Sequence, residues 1–207
     1  MTRPTVIVTG LIGSGKSAVC ALLRERGIPV YDCDARTKSL YDRRPNLVER
    51  FEEALGTPLR DASGKLDRAR LAGVIFSDDA ARETLEGIVY PELLKDFKRW
   101  RSRQKGAPYV VLESAVILSK PVFDGIARAV VLVEAPEPVR LQRVLSRDKT
   151  SPEAVRARMA AQEIPGEAVD VRILNSGSQE ELQKAVELVF FEKNSYICKL
   201  LNKHNKQ

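Results

Sequence analysis

The segment from Thr5 to Ser17 constrains this chain more than any other part of its sequence. Residues 5–9 read TVIVT, a short β-branched run that predicts a buried strand. Residues 10–17 read GLIGSGKS, which fits the pattern G-x-x-x-x-G-K-[ST] throughout, and a helical pattern follows. Glycines in such a loop let backbone N–H groups approach phosphate oxygens, to which the following helix presents its positive end. The sequence therefore predicts a phosphate-binding loop between a strand and a helix.

Every residue of this loop is expected to contact the phosphates of a nucleotide. The predicted contacts are Gly10, Leu11, Ile12, Gly13, Ser14, Gly15, Lys16 and Ser17. Lys16 would reach the β- and γ-phosphates as a catalytic cation, and the Ser17 hydroxyl would bind the Mg²⁺ that accompanies ATP. A glycine-rich turn that matches by chance is the alternative, and the flanking strand and helix argue against it.

Short apolar runs alternate with helical patterns along the chain, which indicates βαβ units. Further strands are predicted at residues 28–31, 109–113, 129–133 and 169–174. Because most of these runs are apolar throughout, the strands should form a parallel sheet that helices cover on both faces. We therefore expect an α/β fold with three layers and a five-stranded parallel sheet.

Residues 36–105 contain no convincing strand pattern and read as several helices. A long apolar stripe, predicted to begin at a Ser77 cap and to bend at Pro91, is the main feature of this block. We predict a helical insertion on the substrate side of the protein, and the sequence leaves additional core helices open as the alternative. The nucleotide-binding core would then comprise residues 1–35, 106–140 and 165–192.

The composition of the chain indicates its cellular compartment and the kind of partner that it binds. Lysine and arginine number 34 against 28 aspartate and glutamate residues, which suits anionic partners or simple solubility. The odd number of cysteines (Cys20, Cys33 and Cys198) fits a reducing compartment. No run approaches the roughly 20 apolar residues of a membrane span. We expect a cytoplasmic protein with no membrane partner.

Several reaction classes are disfavoured by residues that the chain lacks. The single histidine, His204, lies in a basic tail over residues 193–207, so we expect no mechanism that needs a histidine in the folded body. The Asn-Lys-x-Asp pattern by which GTPases read their base is missing as well. A small-molecule kinase suits a chain of 207 residues better than a motor or transporter ATPase does.

Two carboxylates are candidates for the acceptor side of a kinase site. Asp32 and Asp34 end the second predicted strand, and ligands of open parallel sheets bind beyond the carboxyl ends of the strands. If that strand stays extended, its alternation puts both side chains on one side. One would face the acceptor hydroxyl, and the other would hold a metal-bound water or cap the next helix. A pair of capping acids is the alternative.

A helical pair rich in arginine follows the fourth predicted strand. Arg143 and Arg147 are four residues apart and share a helix face, which predicts a mobile lid over residues 141–164 that clamps the phosphates. A solvated basic face is the alternative. Glu113, at the end of the third strand, would hold a Mg²⁺-bound water or bind a loop amide, and the sequence leaves both open.

Together these features resemble the dephospho-coenzyme A kinase family over residues 6–177. Beside the loop, the resemblance rests on VYDCDA, GKLDRARLAGVIF, LEGIVYP, APEPVRLQRVLSRD, MAAQ and LNSG. The spaced combination of D-x-D, L-D-R-x-x-L and R-x-x-x-R-D is far more specific than the loop alone. Tyr90 stands where the family usually has histidine.

The resemblance implies ATP-dependent phosphorylation of the ribose 3′-hydroxyl of dephospho-CoA on a nucleoside-monophosphate-kinase-like core with a helical CoA-binding domain and a lid. It implies that Asp34 is the base or orienting acid and that Asp32 and Arg68 help to bind the substrate. It also implies that the lid arginines contact ATP and that Asn175 lies beside the adenine.

Two other functions stay open at the level of sequence. Another small kinase of the same class, acting on a nucleoside monophosphate or on shikimate, would share the core and differ in its acceptor pocket. A nucleotide-binding regulator associated with nucleic acid would use the loop as a switch. The low aromatic content of 6% and the lack of a nucleic-acid-reading motif argue against a nucleic-acid partner. We expect a monomer or a small homo-oligomer.

Overall fold

A five-stranded parallel sheet organises the computed structural model, which describes residues 3–148, 150–192 and 195–203. The strands are β1 (Thr5–Thr9), β2 (Val30–Asp32), β3 (Val110–Glu113), β4 (Ala129–Glu134) and β5 (Val171–Leu174). They lie in the order β2-β3-β1-β4-β5, and every neighbouring pair is parallel. The predicted α/β fold class is thus confirmed, with β2 and β5 each beginning two residues later than expected.

The chain divides into two compact units, which are described separately. The first comprises the described parts of residues 1–32 and 101–207, and the second comprises residues 33–100. Helices of the first unit are α1 (Lys16–Glu25), α6 (Glu137–Arg147), α7 (Pro152–Ala160), α8 (Gln179–Phe190) and α9 (Tyr196–Lys203). Helices that begin in the second unit are α2 (Cys33–Arg43), α3 (Pro45–Leu55), α4 (Arg68–Ser77) and α5 (Asp79–Ser102).

The core of the first unit forms where helices pack against the sheet. All five residues of β1 are buried, as expected for a central strand that is covered on both faces. One side of the sheet packs against α1 and α8, and Phe190 of α8 stacks on Tyr109 with ring centroids 6.5 Å apart. Ile197 of α9 is fully buried in the same cluster. The basic tail therefore contributes a core helix, whereas His204 lies outside the described residues.

The second unit is helical, as the sequence predicts for this block. Its described residues contain one isolated antiparallel bridge, between Arg60 and Leu66, and no strand. The predicted Ser77 cap is wrong, because the Asp78 carboxylate accepts the N–H groups of Ala80 and Ala81 at the start of α5. The Ser77 hydroxyl instead donates to a carbonyl within α4. The role of this unit as a substrate-binding insertion stays a prediction.

No helix in the part of the chain that the structure describes is long and apolar enough to cross a membrane.

Helix α8 offers a matched test of the core. Leu182 is 5% exposed and Leu188 is 58% exposed, so the same substitution removes a buried side chain at one position only. We expect Leu182→Ala to lower the free energy of unfolding by about 2–5 kcal/mol. Leu188→Ala should change it by less than about 1 kcal/mol. Urea denaturation measures both values, and equal losses would contradict the described packing of α8.

Candidate active site

The phosphate-binding loop lies where the sequence places it. It leaves β1 after Thr9 and ends at Gly15, the N-cap of α1. Gly15 has φ +95°, in the left-handed region that favours glycine. A Cβ there would collide with the side-chain amide of Asn175, and a Cβ at Gly13 would come within 2.6 Å of the Arg140 carbonyl. The two glycines therefore permit close approach of the loop to β5 and α6.

Lys16 lies over the loop that it follows. Its Nζ donates to the carbonyl of Gly10 at 2.7 Å and approaches that of Leu11 at 3.4 Å. The ammonium group is thus held at residues to which the motif assigns phosphate binding.

Ser17 and Glu113 form the polar contact between α1 and β3. The Ser17 hydroxyl donates to Glu113 Oε1 at 2.9 Å, and Glu113 is only 7% exposed. The register of the sheet explains the contact, since Glu113 pairs with Val8, close to the loop. Arg24 Nη2 lies 3.9 Å from the other carboxylate oxygen. Burial, with Glu113 nearby, raises the pKa of the Cys20 thiol, which therefore stays protonated.

Arg143 and Asn175 hold the opposite side of the loop. Asn175 follows β5 and donates from Nδ2 to the Ser14 carbonyl at 2.8 Å. Arg143 Nη1 donates to the Asn175 carbonyl at 3.0 Å and lies 3.4 Å from the Ser14 carbonyl. Two predicted site residues from distant parts of the chain thus meet at the loop.

Arg147 has a different partner from Arg143. Its Nε donates to Asp148 at 2.7 Å, and Arg158 of α7 donates to the same carboxylate at 3.1 Å. These two hydrogen bonds lower the pKa of Asp148 to about 2. The structure therefore places the two predicted lid arginines in separate clusters, with Arg147 largely exposed.

Gln162 is a contact of the loop to which the sequence analysis gave no role. Its Oε1 accepts the backbone N–H of Ile12 at 2.7 Å. Ile12 also packs against the small apolar cluster of Val144, Val155 and Met159 between α6 and α7. The available signal was the MAAQ run, which ends at this glutamine.

The predicted geometry of the two acceptor-side acids needs a correction. The alternation of a strand would put Asp32 and Asp34 on one side, but the strand ends at Asp32 and α2 begins at Cys33. Asp34 therefore lies in the first turn of a helix, where a carboxylate interacts favourably with the helix dipole. Asp32 pairs in register with Glu113, at the carboxyl edge of β2 and β3.

Two further residues of interest lie in the second unit. Arg68 donates from Nη2 to both carboxylate oxygens of Asp42 at 2.9 Å, which links α4 to α2. The Tyr90 hydroxyl lies 3.5 Å from Glu86 Oε1. Burial is the main cause that raises the pKa of Tyr90, with smaller contributions from Glu86, Tyr41 and Asp34. Tyr90 is therefore a neutral hydroxyl near Asp34.

A strand–loop–helix phosphate cradle on a parallel sheet, with a lysine over the loop and a serine–carboxylate pair at its end, defines a P-loop kinase. A family model described as dephospho-CoA kinase matches residues 5–181. The chain belongs to the dephospho-CoA kinase family.

Named relatives agree with the family model. The dephospho-CoA kinase of Porphyromonas gingivalis is 42% identical over 159 residues, which make up 77% of each chain. That of Thermus thermophilus is 38% identical over 196 residues, or 92% of each chain. The chain is therefore similar to these enzymes over most of its length.

Solved structures show the same fold. The crystal structure of TT1252 from Thermus thermophilus gives a TM-score of 0.79 at 35% sequence identity. The alignment covers 94% of this chain and 100% of the TT1252 chain. The dephospho-CoA kinase from Campylobacter jejuni gives 0.64 at 22% identity, with coverage of 97% and 98%. At that identity the second comparison supports the fold alone.

Gly15 and Gly27 provide a matched test of the loop. Both have positive φ, +95° and +75°, but only Gly15 has neighbouring atoms that a Cβ would meet. Both substitutions to alanine should cost roughly 1–2 kcal/mol of backbone strain. We expect only Gly15→Ala to weaken ADP binding, by at least about tenfold, because its methyl group displaces Asn175. Calorimetric titration measures this, and an unchanged ADP affinity in Gly15→Ala would contradict the described loop.

Proposed function

We propose that this protein transfers the γ-phosphoryl group of ATP to the ribose 3′-hydroxyl of dephospho-CoA, giving coenzyme A and ADP. Membership of the dephospho-CoA kinase family supports the acceptor, and the geometry of the loop supports the donor. The observation that carries the proposal is the cradle itself, in which Lys16 lies over the loop and Ser17 donates to Glu113. Those two contacts support the proposal, because phosphoryl transfer needs a cation and a metal-binding hydroxyl beside the phosphates.

The residues at the end of the loop suit a Mg²⁺ ion bound with ATP. Because the Ser17 proton is directed to Glu113, the lone pairs of its hydroxyl oxygen stay available to a cation. Glu113 is a buried carboxylate that can accept hydrogen bonds from metal-bound water. Bound there, Mg²⁺ would neutralise charge on the phosphate oxygens.

The chain's own groups would then stabilise the transferring phosphoryl group. The backbone N–H groups of the loop and the Lys16 ammonium would bind its oxygens once Lys16 exchanges the Gly10 carbonyl, and Ile12 exchanges Gln162, for a phosphate oxygen. Arg143 is already held beside the loop by the carbonyls of Asn175 and Ser14. Arg147 would bind the phosphates only after its hydrogen bonds to Asp148 are broken.

Asp34 is the proposed base or orienting acid for the 3′-hydroxyl. It follows the carboxyl end of β2 by two residues, and ligands of open parallel sheets bind beyond such ends. Its carboxylate would accept the hydroxyl proton as the bond to phosphorus forms. Asp32 and Arg68 are proposed to bind the same substrate.

The remaining parts of the proposal concern the compartment, the oligomeric state and the partners of the enzyme. We propose a cytoplasmic monomer or small homo-oligomer with no nucleic-acid partner. The cysteine content and the low share of aromatic residues support these points.

An acceptor panel tests the function. A coupled assay measures ADP release with each acceptor. We expect release with dephospho-CoA and none with AMP, dTMP or shikimate. Lys16→Ala should remove most of this activity without unfolding the protein, because the cation nearest the transferring group is lost. Its circular dichroism spectrum and melting temperature report the fold. Turnover of AMP or dTMP in place of dephospho-CoA would refute the proposed substrate, and near wild-type turnover by Lys16→Ala would refute the role of the loop.

The two acids near the end of β2 test the assignment of the base. Asp34→Asn keeps the shape of the side chain and removes its basicity, so kcat should fall by roughly 10²–10⁴-fold while ADP affinity stays within twofold of wild type. Asp32→Asn is the matched control, with a smaller expected effect on kcat. A larger loss of kcat in Asp32→Asn than in Asp34→Asn would mean that the base is assigned to the wrong acid.

A further inference from the structure

One hydrogen bond joins the phosphate-binding loop to the end of α7. The side-chain Oε1 of Gln162 accepts the backbone N–H of Ile12 at 2.7 Å, which is at the short end of the range for such bonds. The backbone N–H of Gln162 donates in turn to the Met159 carbonyl at 3.3 Å, so the glutamine is anchored to the last turn of the helix. A side chain from the predicted lid thus occupies a donor of the loop.

Apolar packing brings α7 to the same residue of the loop. The Ile12 side chain packs against a small buried cluster, which consists of Val144 of α6 and of Val155 and Met159 of α7. Ile12 therefore contacts the helical pair both through its side chain and through its backbone N–H. Only the second of these contacts uses a group that a phosphate oxygen can also bind.

A phosphate oxygen and the Gln162 side chain exclude each other at the Ile12 N–H. The loop motif binds phosphates through backbone N–H groups, and a good hydrogen bond puts the acceptor oxygen about 2.7–3.2 Å from the nitrogen, along the N–H direction. Gln162 Oε1 lies at that position. A nucleotide that uses this N–H must therefore displace the glutamine, and the loss of the existing hydrogen bond lowers the affinity for the nucleotide.

We propose that Gln162 is a positioning residue, which holds α7 on the loop until a nucleotide phosphate replaces it at the Ile12 N–H. The inference rests on the proposed binding of ATP at the loop. Because the glutamine amide is neutral, a phosphate, which is a charged and stronger acceptor, can break its bond to Ile12. The apolar cluster is then the contact that remains between α7 and Ile12. Nucleotide binding thereby releases the end of α7, and the exchange runs in reverse when the nucleotide leaves.

Calorimetric titration of two variants with Mg²⁺ and AMP-PNP, a non-hydrolysable analogue of ATP, tests the proposal. Gln162→Met keeps the length of the side chain and removes its carbonyl, so AMP-PNP should bind about three- to tenfold more tightly than to the wild type. Gln162→Glu supplies a carboxylate, which holds the Ile12 N–H more strongly and repels phosphate, so binding should weaken at least about tenfold. A glutamine that only supports the shape of the loop predicts weaker binding in both variants. That result, or an unchanged affinity in Gln162→Met, overturns the proposal.

Two exposed positions supply the matched controls. Gln183→Met makes the same substitution at an exposed glutamine of α8, so AMP-PNP affinity should stay within about twofold of wild type. Ala161→Glu adds the same charge one residue before Gln162, at an exposed position, and should weaken binding by less than about threefold. An equal loss of affinity in Ala161→Glu and Gln162→Glu would mean that charge alone opposes the phosphates, and the proposal would fail.

The wild type provides a test that does not depend on the folding of any variant. A crystal structure with Mg²⁺ and AMP-PNP should show a phosphate oxygen at the Ile12 N–H and the Gln162 side chain away from it. A complex in which Gln162 still accepts that N–H overturns the proposal. Wild-type binding of AMP-PNP also tests the donor of the proposed function by itself. Its absence would refute both proposals, whereas normal binding with Gln162 still on Ile12 would refute this one alone.

Discussion

The backbone of the phosphate-binding loop needs hydrogen-bond partners from outside the loop, and several elements of the first unit supply them. A loop between a strand and a helix has no ladder to satisfy its polar groups. Asn175 and Arg143 supply donors to the Ser14 carbonyl, Lys16 supplies one to the Gly10 carbonyl, and Gln162 accepts the Ile12 N–H. These partners come from β5, α6, α1 and the end of α7. One short loop thus contacts four elements of the first unit.

Charge is distributed unevenly around this loop. On the side of β3, one buried carboxylate, Glu113, accepts from Ser17 and lies near Arg24. On the side of α6, Arg143 binds carbonyls, whereas Arg147 is held by Asp148 together with Arg158. Asp148 thus links α6 to α7, because its carboxylate accepts hydrogen bonds from Arg147 and from Arg158. Arg140, on the same helix, has a buried Nη1 without a hydrogen-bond partner among the described residues.

Much of the fold was predictable because it depends on local patterns. The run TVIVT and the motif GLIGSGKS predicted β1, the loop and the helix that follows it. The Asp32–Asp34 prediction failed because strand alternation was extended past the last residue of the strand, and sequence alone does not show where β2 gives way to α2. The Ser77 cap failed for a similar reason, since Ser77 and Asp78 both suit a cap and only the backbone decides between them.

The sequence by itself determined the class of the protein, because a phosphate-binding loop depends on residue types at fixed spacing. It also identified the motifs that carry the family resemblance over residues 6–177. Only the tertiary structure decided which of them meet, since the contacts of Ser17 with Glu113 and of Ser14 with Asn175 join residues 96 and 161 positions apart. Sheet order brings such residues together, and it is set by the packing of the whole unit rather than by any local pattern. For the same reason, the MAAQ run identifies Gln162, but only the tertiary structure shows its contact with Ile12, 150 positions away.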